Sequence, residues 1–179
     1  IAKVGGIYSD CGKKGRQIKI KINLDKIDYT ITHASEVIEM GAAVGQAIRK
    51  KKDSSIVQAV KSVAEGRSDG IVAAGSTGAA MASSLFGLGR IKGITRPAIA
   101  VTLPTVAKPI VLIDGGANSD CTAQMLKQFA VMGATYSKNV LGIDNPRVGV
   151  LNIGEEAEKG NPLAKETHKL LEEDSENIN

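Results

Sequence analysis

Short apolar runs alternate with stretches of helical spacing along this chain. Four of the runs contain no polar side chain, and they are residues 71–74, 99–101, 110–113 and 148–151. Unbroken runs of this length are typical of strands covered on both faces. Residues 18–22, where Ile alternates with Lys, predict a strand with one solvated face, and residues 29–33 predict another. Strands that alternate with helices favour βα units and a parallel sheet.

The helices are delimited by residues that cap or break helical backbone. A helix that begins near Ser54 or Ser55 ends at Gly66. Its apolar face consists of Ile56, Ala59, Val60 and Val63. A second helix is predicted over about residues 122–140, with an apolar face of Met125, Phe129, Met132 and Tyr136. Asn161 and Pro162 open a third, because proline at the first helical position gives up only an amide that has no partner.

Residues 70–89 contain no charged side chain and are long enough to cross a bilayer. Five glycines and four hydroxyl residues make the segment only weakly apolar. We therefore interpret it as a buried strand, a tight loop and a buried helix.

Composition places the 179-residue, 18.7 kDa chain among globular proteins, and we predict a single α/β domain over residues 1–179. Because only 3% of residues are aromatic, stacking platforms for nucleic acid are not expected, and nucleic acid is not a predicted partner. The net charge of +4 suits phosphate or an acidic partner. Two cysteines and no His/Cys spacing of a metal site predict a reducing cytoplasm, with no disulfide framework, metal or cofactor.

Three loops that follow predicted strands carry the candidate chemistry. The first is Gly75-Ser76-Thr77-Gly78, ahead of a helix that begins near Ala79. Amides at a helix N-terminus, glycines that permit close approach, and two hydroxyls together suit an anion site. An ordinary turn between a strand and a helix explains the same residues equally well.

The second loop runs from Asp114 to Asp120 and contains Gly116 and Asn118. It lies beyond the carboxyl end of a predicted strand, where ligands bind in open α/β sheets. The two aspartates suit either a metal ion or the orientation of backbone. Asx-turns and an N-cap explain Asp120 better than Asp114.

The third loop spans residues 152–161 and contains Asn152, three glutamates, Lys159 and Asn161. A solvated charged loop is one interpretation. If the preceding strands are parallel, however, all three loops emerge at one edge of the sheet. Glycine, asparagine and a single lysine at that edge are suited to handling an anion.

A basic run consists of Arg49, Lys50, Lys51 and Lys52. A solvated helix end, favoured there by the helix dipole, is the simpler interpretation. The functional alternative is a docking patch for an acidic partner.

Several short motifs follow one another in order along the chain. They are HASEVI at 33–38, RKKKDSS at 49–55, GSTGA at 75–79, GRIKGI at 89–94 with RPA at 96–98, LPT at 103–105, GAN at 116–118, and PRVGVLNIGEE at 146–156 with KGN at 159–161. This series, from about residue 33 to about residue 171, resembles the PlsX family of bacterial acyl carrier protein–phosphate acyltransferases. Family members usually carry Asn at the position of Ser76, and Val at those of Gly115 and Ser119.

The resemblance implies a homodimer with a three-layer α/β/α fold and a mostly parallel sheet, similar to the isocitrate/isopropylmalate dehydrogenase group. It implies transfer of a fatty acyl group from acyl carrier protein to inorganic phosphate for phospholipid synthesis, in the cytoplasm or peripherally at the inner face of the membrane. Lys159 stands at the lysine proposed to act in catalysis in this family, and we predict Asn152 as a second catalytic residue. The implied substrate-binding residues are Gly75, Ser76, Thr77, Gly78, Asp114, Gly116, Asn118 and Asn161.

Members of this family are nearly twice as long, so we interpret the chain as a portion of a longer enzyme. Two other interpretations stay open. One is a phosphotransacetylase-like or dehydrogenase-like enzyme on a related fold, although no Gly-x-Gly-x-x-Gly follows a predicted strand. The other is a non-catalytic segment that binds acyl carrier protein.

Overall fold

The computed structural model describes residues 7–10, 30–154, 156 and 158–174, with only the backbone described at residues 7–10. The chain divides into two compact units, Ile1–Arg90 and Ile91–Asn179. Each unit combines helices with a two-stranded sheet, so the predicted α/β class is confirmed. The strand predicted at residues 18–22 lies outside the described residues.

The first unit contains two strands and three helices. The strands β1 (Ile7–Asp10) and β2 (Ile31–Ala34) pair in parallel. The helices are α1 (Val44–Lys50), α2 (Ser55–Ala64) and α3 (Thr77–Leu88). Helix α2 packs against α3 and both strands, and α1 packs against α3. The predicted strand near residues 29–33 and the helix that begins near Ser54 are therefore confirmed.

Local chemistry sets the ends of α2 and α3. Ser54 stands at the N-cap of α2, and Gly66, which has a φ of +70°, follows its C-terminus. A positive φ favours glycine because a Cβ would clash there. The Ser76 hydroxyl accepts a hydrogen bond from the Ala79 amide at 3.3 Å and so caps α3.

The buried strand predicted at residues 71–74 is wrong. These residues form no strand and have no backbone hydrogen bond to another described residue, and Val72 is fully exposed. An apolar run indicates which side chains favour burial, but a strand also needs a second backbone to pair with. Burial of α3 was also overestimated, since Phe86 is 59% exposed.

The second unit contains two strands and two helices. The strands β3 (Ala100–Leu103) and β4 (Ile110–Ile113) are antiparallel, so the expected parallel arrangement is wrong for this pair. Residues 104–109 connect them, and a parallel crossover needs a dozen or more residues. Pro104 and Pro109 at the two ends of this connection are the sequence signal for a hairpin.

Helix α4 (Ala123–Leu141) packs against β4 and against α5 (Pro162–Glu172). Thr122 caps α4 by accepting a hydrogen bond from the Met125 amide at 3.3 Å. The helix predicted over residues 122–140 is thus confirmed, as is the opening of α5 at Pro162. The N-cap is Thr122, however, not Asp120.

The buried face of α4 is built largely from small residues. Ala130 and Gly133 are buried beside Phe129, which is 1% exposed. A Cβ on Gly133 would lie 3.1 Å from Ile113 Cγ2, so glycine permits the close approach of α4 to β4. The predicted apolar face was correct at Phe129 and wrong at Tyr136, which is 36% exposed.

Burial of both faces was also predicted for β4 and for residues 148–151, and this is wrong. Along β4 the side chains alternate between exposed and half-buried, because α4 covers one face and no described element of this unit covers the other. Residues 148–151 show the same alternation but form no strand. Leu151 is 87% exposed.

Among the described residues, no helix is both long and apolar enough to cross a membrane.

Candidate functional site

The Asp114 carboxylate organises the loop that follows β4. Its Oδ1 accepts hydrogen bonds from the Ile99 amide at 2.8 Å and the Ala117 amide at 3.1 Å. Its Oδ2 accepts from the backbone amide of Asn118 at 2.8 Å and from the Asn118 side chain at 2.9 Å. All four contacts fix protein groups, so in this conformation Asp114 orients backbone.

These contacts also set the charge of Asp114. Partial burial raises its pKa, but the hydrogen bonds, led by that from the Ile99 amide, outweigh burial and lower the pKa below its ordinary value. The carboxylate is therefore ionised near neutral pH. An ionised acceptor makes each of the four bonds stronger than a neutral one would.

Two glycines let the loop fold tightly beside β3. The Gly115 amide donates to the Ile99 carbonyl at 2.8 Å, and a Cβ on Gly115 would lie 2.5 Å from Val101 Cγ2. A larger side chain at this position therefore requires Val101 to move. Gly116 has a φ of +107°, which favours glycine. The same loop is held to the preceding segment by Asn118 Nδ2, which donates to the Pro97 carbonyl at 3.0 Å.

Cys121 follows this loop as a protonated thiol. Burial, and then the negative charges of Asp114 and Asp120, raise its pKa, against an opposing effect of Arg96. A thiol that keeps its proton is a poor nucleophile. Arg96 lies close enough to act on this thiol and was not among the predicted site residues, although the RPA motif at residues 96–98 contains it.

The third loop closes on itself through Asn152. Asn152 Nδ2 donates to the Lys159 carbonyl at 2.8 Å, and the Lys159 amide donates to the Glu156 carbonyl at 2.9 Å. Gly160 has a φ of +94°, and a Cβ there would lie 2.4 Å from Asn152 Oδ1. Asn152 therefore holds the backbone on which Lys159 is carried.

Lys159 is exposed, and its stem lies against Gly154, where an added Cβ would be 2.8 Å from Lys159 Cγ. Among the described residues, no acidic group lies within ion-pair distance of its ammonium. Glu155 lies outside the described residues. A cation without a described carboxylate partner, on a braced loop, is able to meet an anionic ligand.

Asn161 ends the same loop and begins α5. Its Oδ1 accepts a hydrogen bond from the Ala164 amide at 2.9 Å, and Pro162 follows at the first helical position. The side-chain oxygen of Asn161 is thus engaged in capping.

The Gly75–Gly78 turn, residues 75–78, lies in the first unit at the start of α3. The Ala79 amide is bonded to Ser76, which leaves the amides of Thr77 and Gly78 as the leading donors of the helix N-terminus. A Cβ on Gly78 would lie 3.3 Å from Val44 Cγ2, whereas a Cβ on Gly75 would meet nothing within 4 Å. A side chain at Gly75 would therefore extend into the open space beside the turn, with less effect on packing than one at Gly78.

The basic run divides into two pairs. The Arg49 guanidinium lies 5.9 Å from the centre of the Phe86 ring, a cation–π contact, and the Lys51 ammonium donates to the Val37 carbonyl. Lys50 and Lys52 are exposed. These two lysines are the members of the run that are placed to meet a partner.

The second loop and the residue that precedes the third loop both reach one cavity of the second unit. Asp114 and Leu151, the residue before Asn152, line the same cavity of about 730 Å³. Within the part of the chain that the structure describes, no three His, Cys, Asp or Glu side chains converge as metal ligands would.

Comparison with known proteins gives one consistent result. Residues 15–179 match the model of a family described as fatty acid synthesis protein. A phosphate acyltransferase of Desulforamulus reducens is 52% identical over 168 residues, which cover 92% of this chain and 50% of that protein. A phosphate acyltransferase of Desulfitobacterium hafniense is 55% identical over 142 residues, covering 79% of this chain and 42% of that protein.

A phosphate acyltransferase of Clostridium botulinum is 49% identical over 164 residues, covering 89% of this chain and 49% of that protein. The chain thus spans about half the length of the curated relatives it matches. Because the family model matches nearly the whole sequence, the chain belongs to the fatty acid synthesis protein family.

Proposed function

We propose that this chain is part of a phosphate acyltransferase that moves a fatty acyl group from acyl carrier protein to inorganic phosphate. The observation that carries the proposal is the identity of about half of its residues to proteins named phosphate acyltransferase. The exposed Lys159 on a loop braced by Asn152 supports it.

The reaction needs few specialised groups. A phosphate oxygen forms a bond to the thioester carbonyl carbon, the C–S bond breaks, and the leaving thiolate takes up a proton. Phosphate is already a nucleophile and a thiolate is a fair leaving group, so no Ser-His-Asp triad is required. The protein has to position the anion beside the thioester and stabilise the developing oxyanion.

We assign these tasks to the loops of the candidate site. Lys159 binds the phosphate and stays bound to it as the acyl phosphate forms. Asn152 positions the lysine. Within the second unit, exposed backbone at Gly116 supplies further donors, with Asn118 and Asn161 shaping the loops. The Gly75–Gly78 turn of the first unit is by itself a candidate for binding phosphate. Cys121, whose pKa is raised by burial and by Asp114, is a poor candidate for a covalent acyl intermediate.

For the longer protein we propose the three-layer α/β/α fold with a mostly parallel sheet and the homodimer that the motifs imply. We also propose a cytoplasmic location with peripheral association at the inner face of the membrane, where the acyl phosphate would be used.

The test follows thioester and phosphate together. Full-length protein is incubated with palmitoyl-acyl carrier protein with and without phosphate, and free thiol and acyl phosphate are measured. We expect the two products in equal amounts and only with phosphate. Thiol release that does not depend on phosphate would reject the proposal, and the same assay on this chain shows whether the segment is active alone.

A non-catalytic segment that binds acyl carrier protein is the second candidate. It is favoured by Lys50 and Lys52, whose side chains are exposed at and just beyond the end of α1. Two neighbouring cations create a positive field that speeds encounter with an acidic protein. Binding of acyl carrier protein by this chain without turnover would support this candidate.

A further inference from the structure

Helix α4 holds the segment of residues 93–99, which carries a single cation, Arg96. Gln128 of α4 donates through Nε2 to the Gly93 carbonyl at 2.9 Å and accepts through Oε1 from the Thr95 amide at 2.9 Å. Gln128 is half-buried, and the segment engages both ends of its side-chain amide. Gln128 therefore fixes the backbone directly ahead of Arg96.

The loop that follows β4 holds the other side of Arg96. Asn118 Nδ2 donates to the Pro97 carbonyl at 3.0 Å, and Asp114 Oδ1 accepts from the Ile99 amide at 2.8 Å. Proline also disfavours helical backbone at the residue before it. The backbone of Arg96 is thus held between two anchored stretches, next to a loop that the sequence predicts as a ligand site.

The Arg96 side chain is exposed. Of the carboxylates that the structure describes, none lies within ion-pair distance of its guanidinium. Burial and Asp114 raise the pKa of the Cys121 thiol just after the loop, and the positive charge of Arg96 opposes them. The guanidinium is therefore a cation beside this loop that is open to a ligand.

The loop also offers a free backbone donor. The amides of Gly115, Ala117 and Asn118 all donate to oxygens of the protein. Gly116 is exposed, and its amide has no acceptor within the described part of the chain. A guanidinium fork and a backbone amide are groups that bind phosphate oxygens in proteins.

Two carboxylates lie near these donors, and neither is paired with Arg96. Four donors already meet the charge of Asp114. Asp120 is exposed and accepts from the Ser119 hydroxyl at 3.3 Å, so water and salt screen its charge. The guanidinium thus keeps its charge available for an anion.

We propose that Arg96 and the Gly116 amide bind the inorganic phosphate substrate. Gln128 and Asn118 are the positioning residues of Arg96. Phosphate carries up to two negative charges near neutral pH, whereas Lys159 supplies one positive charge. A second cation on anchored backbone holds the anion for attack on the thioester. This inference rests on the proposed acyl transfer and deepens it.

Steady-state kinetics of the full-length protein provide the first test. We expect Arg96→Ala to raise KM for phosphate by about 10–100-fold, the loss of a charged hydrogen-bonded contact, and to change KM for acyl carrier protein by less than about twofold. Arg96→Lys should recover part of the loss, because its ammonium keeps the charge without the planar fork. Gln128→Ala should raise KM for phosphate by a smaller factor. Lys92→Ala, which removes an exposed cation of the neighbouring chain, should leave it unchanged.

Melting temperatures show that each variant is folded. An unchanged KM for phosphate in folded Arg96→Ala would overturn the proposal. A raised KM for acyl carrier protein alone would assign Arg96 to docking of that acidic partner and would also overturn it.

Cys121 provides a readout of binding that needs no turnover. Bound phosphate cancels the Arg96 charge that favours the Cys121 thiolate, so alkylation of this thiol by iodoacetamide at mildly alkaline pH should slow by about threefold or more. The rate is followed by mass spectrometry of the Cys121 peptide over a series of phosphate concentrations at constant ionic strength. We expect the slowing in the parent and in Lys92→Ala, and not in Arg96→Ala. Equal slowing in all three proteins, or none in any, would contradict the proposal.

The two measurements separate the phosphate site from the proposed reaction. Slowing that depends on Arg96, in a protein that forms no acyl phosphate, would support the phosphate site and reject the acyl transfer. Acyl phosphate formation with the same KM for phosphate in the parent and in Arg96→Ala would reject the site and leave the acyl transfer in place.

Discussion

Replacing Asp114 with asparagine tests whether this carboxylate is the centre of the loop that follows β4. The oxygen of asparagine can still accept from two of the four donors. Its NH₂ group, however, faces the other two donors, which are the backbone amide and the side chain of Asn118 if Oδ2 is the atom replaced. The variant therefore loses two charge-assisted bonds and gains a repulsive contact.

The magnitude follows from those bonds. Hydrogen bonds to a charged acceptor contribute about 1.5–3 kcal/mol each, and because Asp114 is only half-buried we expect a loss of about 2–4 kcal/mol in the free energy of unfolding. For a chain of this size that loss lowers the melting temperature by roughly 5–15 °C. Asp120→Asn is the matched control. It is exposed and contacts the Ser119 hydroxyl at 3.3 Å, so its effect should stay below about 0.5 kcal/mol.

The assay combines thermal melting, followed by circular dichroism, with hydrogen exchange at the Ala117 and Asn118 amides, which localises the effect to this loop.

The pH dependence provides an independent check. The folded state lowers the pKa of Asp114, so its contribution is present above the ordinary carboxyl pKa of about 4 and is lost as pH falls through the lowered value. Asp114→Asn should flatten that acid loss. A melting temperature within about 2 °C of the parent, with unchanged amide exchange, would refute the structural role.

Four further predictions follow from the site. Lys159→Ala in the full-length enzyme should lower kcat by about 10²–10³ with an unchanged melting temperature, and near-normal kinetics in the folded variant would reject its catalytic assignment. Asn161→Ala should destabilise the protein by about 0.5–2 kcal/mol in urea unfolding, whereas Asn161→Asp should keep the cap, so equal losses would contradict a capping role. Charge reversal of Lys50 and Lys52 should slow association with acyl carrier protein and flatten its salt dependence in stopped-flow experiments, whereas reversal of Lys92 should not; equal rates at low ionic strength would leave the run as a solvated helix end. Gly75→Val should weaken phosphate binding in a calorimetric titration without unfolding the protein, and unchanged affinity would remove the turn from the site.

Local chemistry made several elements predictable from the sequence. The side chains of Thr122 and Asn161 cap their helices through amides three residues further along the chain, so spacing alone locates the starts of these helices. The basic end of α1 at Arg49 was predictable for the same reason. Such signals do not depend on the rest of the protein.

Strand pairing was less predictable because it depends on residues far away in the chain. Residues 110–113 and 148–151 have the same apolar pattern, yet only the first has a partner among the described residues, which is β3. Apolar pattern reports the preference of side chains for burial and carries no information on which backbone lies alongside. The antiparallel β3–β4 pair was predictable only from the short, proline-bounded connection between Leu103 and Ile110.

The residues around Lys159 show why candidate site residues could be named from sequence but not given separate roles. Asn152 uses its side-chain NH₂ to hold the Lys159 carbonyl, and Asn161 uses its oxygen to cap α5. Both side chains therefore act on the backbone that carries the lysine, whether or not they also touch a substrate. An alanine at either position would move Lys159 as well as remove a polar group, so loss of activity alone would not identify a contact with phosphate. Asn161→Asp separates these effects, because it keeps the cap while placing a negative charge where an anion would bind.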